Sequence, residues 1–169
     1  MNKKKTISKI SEMSAYVLNT TTKRENACLY MSALLFALIS DHLDAKPKLV
    51  TGTLSIGERL IFSHVPIKPI LESGKDFSGI WDGHCWVEVQ GIICDPSIFS
   101  TIFSSLNKPN LQQLFEQAFN GKPDYLIGSS KKLADMSIFY KKREELKDED
   151  ATLLIQSGYE TGIFTKKPI

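Results

Sequence analysis

The run ACLYMSALLFALI, residues 27–39, contains one clearly polar side chain, Ser32. Ala27, Tyr30, Met31, Leu34, Leu35, Leu38 and Ile39 recur at helical spacing, and Ala33, Phe36 and Ala37 make the remaining surface apolar as well. A helix that is apolar nearly all round has to be enclosed by other elements. The run is too short to cross a bilayer, so it reads as the central, buried helix of a globular core. The expected helix extends from Glu25 to about His42, with Asn26 near its start as the N-cap.

A chain of 169 residues, 42% hydrophobic and 24% charged, is enough to bury such a helix in one domain spanning residues 1–169. The net charge of +2 is too small to point to a nucleic-acid partner. The basic runs NKKK, SKK, YKKR and TKK are scattered, with EELKDED following one of them, which is the texture of a solvated surface. The basic start leads into the amphipathic TISKISEMSAYVL and no apolar h-region, which argues against a Sec signal and against a membrane partner. Three cysteines form an odd set. They argue against a disulfide framework and for a reducing, cytoplasmic setting with a free thiol, although export by a signal-independent route fits equally well.

Along the chain, residues 6–19 read as a first helix and NTTTKREN breaks it. KLVTGTLSIG and RLIFSHV form an expected hairpin, residues 66–83 a loop, and HCWVEV and IICDP two strands joined at Gln-Gly. Helical pattern returns in SIFSTIFSSL and NLQQLFEQAFN, DYLIG has strand character, and residues 133–156 read as helical. The expected class is α+β: a nucleophile-bearing helix packed on an antiparallel sheet, a core over 20–105 and a helical extension over 106–169.

The stretch GHCWVEVQGIICDP concentrates chemistry. With the turn centred on Gln90 and Gly91, Val89 faces Ile92, Glu88 faces Ile93, Val87 faces Cys94 and Trp86 faces Asp95. Alternation then puts His84, Trp86, Glu88, Ile93 and Asp95 on one face, and Cys85, Val87, Val89, Ile92 and Cys94 on the other. Asp95 lies diagonal to His84, within reach of a hydrogen bond. A metal site from His84, Cys85, Cys94 and Asp95 would need ligands from both faces, at a spacing that matches no zinc pattern, so Cys85 and Cys94 read as buried small hydrophobes. A histidine oriented by a carboxylate needs a nucleophile, and Cys28 supplies a candidate. It lies in the first turn of the apolar helix, where the dipole and free amides favour a thiolate and can hold an oxyanion.

With Cys28, His84 and Asp95 in place, the chain resembles the transglutaminase-like superfamily of cysteine enzymes, within the wider papain-like fold. The resemblance runs from about Asn26 to Asp95 through NACLYMSALLFAL, LVTGTLSIG, GHCWVEV and CDPS, and His-x-Trp-Val-Glu-Val followed by Asp-Pro is its most specific part. It implies Cys28 as nucleophile, His84 as general base and acid, Asp95 as the residue orienting the imidazole, and no calcium or other cofactor. The chain departs from the pattern where many relatives carry Gly-x-Cys followed by acidic residues, and where alanine or serine often stands in place of Cys85. The motif does not place the oxyanion-hole or substrate-contact side chain; Asn19, Asn26, Trp81 and Trp86 are the candidates. Trp86 is expected either to cover the His84–Asp95 contact or to pack on the nucleophile helix. The function that follows is acyl transfer through a thioester on Cys28, with a peptide or protein substrate and either water or an amine as acceptor. An inactive papain-like binding module, an exported effector or toxin using the same triad, and a metal-binding module are the alternatives.

Overall fold

The computed structural model describes residues 2–73, 81–104 and 109–165. Helix α1 (Lys3–Thr20) precedes α2 (Cys28–His42), the apolar helix. Leu29 to Phe36 and Ile39 are all buried in α2, as its all-round apolar surface demands. Its start differs from the expectation. The N-cap is Ala27, which makes no side-chain capping bond. Asn26 has φ 56°, a left-handed conformation that asparagine tolerates better than most residues, so it forms the corner before the helix and not its cap.

A six-stranded antiparallel sheet covers α2: β1 (Lys48–Ile56), β2 (Arg59–Phe62), β3 (His84–Val89), β4 (Ile92–Asp95), β5 (Leu126–Ser129) and β6 (Ile138–Leu146). β1 is the hub. β6 pairs along it from Leu49 to Ile56, so β3 and β2 share its other edge in succession, β3 on Lys48–Gly52 and β2 on Leu54–Ile56. β4 continues from β3, and β5 from β4.

The sheet is buried on both faces. Leu49, Cys85, Val87, Ile92 and Cys94 pack with α1, α2 and α7 (Asp148–Glu160) in one cluster. Val50, Leu54, Trp86 and Ile93 pack on the opposite face with α4 (Ile98–Ile102), α5 (Pro109–Phe119) and α6 (Ser130–Asp135). The class is α+β. Among the described residues no helix is long and apolar enough to cross a membrane.

The C-terminal third is not a helical extension. It supplies β5 and β6 to the same sheet, and residues 133–156 divide into the end of α6, all of β6 and most of α7. IFYKKREEL reads as helix because lysine, arginine and glutamate are good helix formers. β6 is an edge strand, exposed over much of its length, where charged residues are tolerated and pairing with β1 overrides propensity. The stretch 66–83 also contains a short helix, α3 (Lys68–Glu72), and its residues 74–80 lie outside the described residues.

Candidate active site

The β3–β4 turn sets the geometry. Gln90 and Gly91 have φ 50° and 76°, the paired positive values of a type I′ hairpin turn. The register that follows is Val87↔Cys94, Glu88↔Ile93 and Val89↔Ile92. His84 at the start of β3 and Asp95 at the end of β4 therefore meet on one face, and Nε2 of His84 lies 2.5 Å from Oδ2 of Asp95. Both residues are buried, each at 1% exposure. Cys85 and Cys94 point to the other face, into the α2 core.

Asp95 is held from every side. Its Oδ1 accepts from the Ser97 amide (3.0 Å), the Ser97 hydroxyl (3.1 Å) and the Ile98 amide (3.0 Å) at the entry to α4. Its Oδ2 also accepts from the Tyr140 hydroxyl at 2.9 Å. A buried carboxylate is costly unless its lone pairs are occupied, and these donors occupy them. Asp95 thus begins the turn at Pro96 and orients His84 at once.

Cys28 completes the line. It is the first residue of α2, half-buried, and it lines the same cleft as His84. Since Nε2 is engaged by Asp95, Nδ1 is the nitrogen left for a partner other than Asp95. One turn further along, the Ser32 hydroxyl donates to the Cys85 carbonyl (2.9 Å), which seats the helix start against β3 next to His84. The first ladder bond in α2 runs from the Met31 amide to the Ala27 carbonyl (2.9 Å), so the amides of Cys28 to Tyr30 precede the ladder.

Burial opposes a charge on His84. The charge and hydrogen bond of Asp95, with smaller contributions from Cys28, outweigh it and push the imidazole up to about 10. Burial drives the other two thiols the opposite way in reactivity: Cys85 is raised well above its ordinary value, and Cys94 is raised to about 12 with Asp95 adding to the effect.

Aromatic rings frame the imidazole. Phe62 of β2 stacks on it at 4.7 Å and 11°, Trp86 lies 6.3 Å away at 25°, and Tyr140 6.2 Å away at 48°. Gly52 sits opposite His84 in the β1–β3 register. A Cβ there would come within 2.8 Å of the Trp86 ring and 2.0 Å of the Lys141 carbonyl, so glycine leaves the room that Trp86 occupies.

Cys28 and His84 open onto a cleft of about 180 Å³ whose walls include Asn26, Phe62, Trp81 and Thr101. Asn26 and Trp81 line this cleft. Trp81 cannot serve as an oxyanion donor in this arrangement, because its indole N–H is given to the Val65 carbonyl at 2.7 Å. Trp86 is not a substrate contact. It is fully buried beside His84, with its N–H donated to Glu88 at 3.1 Å. Asn19 lies exposed on α1, away from the cleft lining.

Sequence reasoning missed Phe62, Thr101 and Tyr140. The aromatic at position 62 in a strand leading toward the histidine loop was the one available signal. Tyr140 was hidden in a segment read as helix. No family model, no curated protein and no solved structure matches the chain.

Proposed function

We propose that this chain is a cysteine-dependent acyl-transfer enzyme of transglutaminase-like, papain-like architecture, which attacks an amide or related acyl bond of a peptide or protein through Cys28. One observation carries the reading: Cys28 at a helix start and the buried His84 line one cleft, and His84 is backed by the buried, hydrogen-bonded carboxylate of Asp95.

An imidazolium beside the thiol favours the nucleophilic thiolate. The sulfur attacks the acyl carbon, and the oxyanion that forms falls to the amides of Cys28 and Leu29 at the start of α2, ahead of the helix ladder. His84 then donates its Nδ1 proton to the leaving amine as the C–N bond breaks, which leaves a thioester on Cys28. Water or an amine gives a proton back to His84 as it attacks the thioester, and thiolate departs. Asp95 holds the imidazole in the orientation both steps need. Tyr140 and the Ser97–Ile98 amides are positioning groups that keep Asp95 in place.

The test is turnover of peptide amides by wild type, Cys28→Ala and His84→Ala, with circular dichroism as the folding check. Loss of turnover in both folded variants is the expected result. Wild-type turnover in folded Cys28→Ala would overturn the reading.

A further inference from the structure

β6 contains one residue more than its partner. Lys142 pairs with Gly52 and Glu144 with Thr51, so Arg143 is left over as a bulge. Side chains two and four apart in a regular strand share a face. The bulge breaks that rule, and Tyr140 and Glu144 go to opposite faces. Tyr140, opposite Leu54, reaches Asp95. Glu144, opposite Thr51, enters the face that carries α2.

There Glu144 is only 14% exposed at its side chain and gathers four partners. It accepts from the Ile67 amide at 2.8 Å, the Lys68 amide at 3.3 Å and the Thr51 hydroxyl at 3.2 Å, and its Oε2 lies 3.1 Å from Nε2 of His64. Three of the four, His64, Ile67 and Lys68, belong to the segment that runs from β2 into the first residue of α3. That segment is in turn stitched to the residues before His84. The Trp81 indole donates to the Val65 carbonyl (2.7 Å), and the Val65 amide to the Asp82 carbonyl (2.8 Å). The Trp81 ring meets His64 edge-on at 5.8 Å and covers Gly83 so closely that a Cβ there would lie 2.2 Å from the ring. Ser63, Trp81, Asp82 and Gly83 line the cleft.

We infer that Glu144 is a positioning residue that sets the width of the Cys28 cleft, by fastening residues 63–68 and, through them, Trp81 to β6. The inference rests on Cys28 being the reactive nucleophile of that cleft. Glu144 takes no part in the acyl transfer itself, and its effect is on which groups reach the thiol.

The experiment compares alkylation of Cys28 by iodoacetamide and by a naphthyl iodoacetamide, followed by intact mass and peptide mapping. In wild type the cleft should favour the small reagent. Glu144→Gln should lower the small-to-bulky rate ratio about tenfold, the equivalent of one lost charged hydrogen bond, while the iodoacetamide rate stays near wild type. A general loss of stability would move both rates together and leave the ratio unchanged. His64→Asn, which removes one partner of Glu144 and the edge contact with Trp81, should lower the ratio in the same direction, and it carries the test if Glu144→Gln does not fold. An unchanged ratio in the folded variant overturns the inference. If wild-type Cys28 reacts no faster than Cys85 or Cys94, the enzyme reading falls first and takes this inference with it.

Discussion

Replacing Asp95 with asparagine should invert the protonation state of His84 at neutral pH. In the native protein, burial disfavours the imidazolium, but Asp95 more than compensates and carries the group from 6.5 to about 10. That climb is a preference for the charged form of about 5 kcal/mol, at roughly 1.4 kcal/mol per unit. Because the folded value is raised, the stability it contributes is complete below about 6.5 and is lost as pH rises toward about 10. Asparagine keeps the size and can still accept from Ser97 and Ile98, so the start of α4 should survive. It removes the charge, leaving burial as the dominant influence on His84, which should then titrate below its ordinary value. The assay is an NMR titration of the imidazole C–H signals, simplified because the chain has three histidines. Wild-type His84 should stay protonated into the alkaline range, and in Asp95→Asn it should be neutral at pH 7. Turnover should fall by orders of magnitude, since the imidazole loses both its charge and its fixed orientation. A folded Asp95→Asn variant in which His84 still titrates near the native value would refute the reasoning.

At neutral pH Cys28 should be alkylated much faster than Cys85 or Cys94, whose thiols are buried and raised; mass mapping of the three sites after brief iodoacetamide exposure checks this. Tyr140→Phe removes one donor from the Asp95 oxygen that His84 also uses, so Asp95 should bind the imidazolium more strongly and the His84 titration should move up by about half a pH unit, measured by the same NMR method. Trp86→Ala empties a fully buried site beside His84 and should cost about 3–5 kcal/mol in denaturant unfolding, with Trp86→Phe costing less.

The His84–Asp95 pair was legible because the Gln90–Gly91 turn fixes the β3–β4 register, and register alone decides which side chains share a face. α2 was legible for a similar reason: a helix with no polar face has one place to go. Its first turn was not, since Asn26 suits both an N-cap and a left-handed corner and only the surrounding chain selects between them. β6 was hidden because its partner β1 lies almost ninety residues away and its local composition favours helix. With β6 went Tyr140 and Glu144, and the bulge at Arg143 that separates their faces leaves no mark in the residue pattern. Trp81 was placed near the cleft by its closeness to His84 in the chain, but the bond of its indole to Val65 depends on a tertiary contact.

The central claim is that Cys28 forms a thioester with an acyl substrate. Intact mass spectrometry of the protein quenched in acid during turnover of a peptide-amide library measures it most directly. The account predicts a mass increase equal to the acyl group, mapped to Cys28, discharged by added hydroxylamine and absent from Cys28→Ala. Turnover without any adduct on Cys28, with Cys28→Ala equally active, would contradict it.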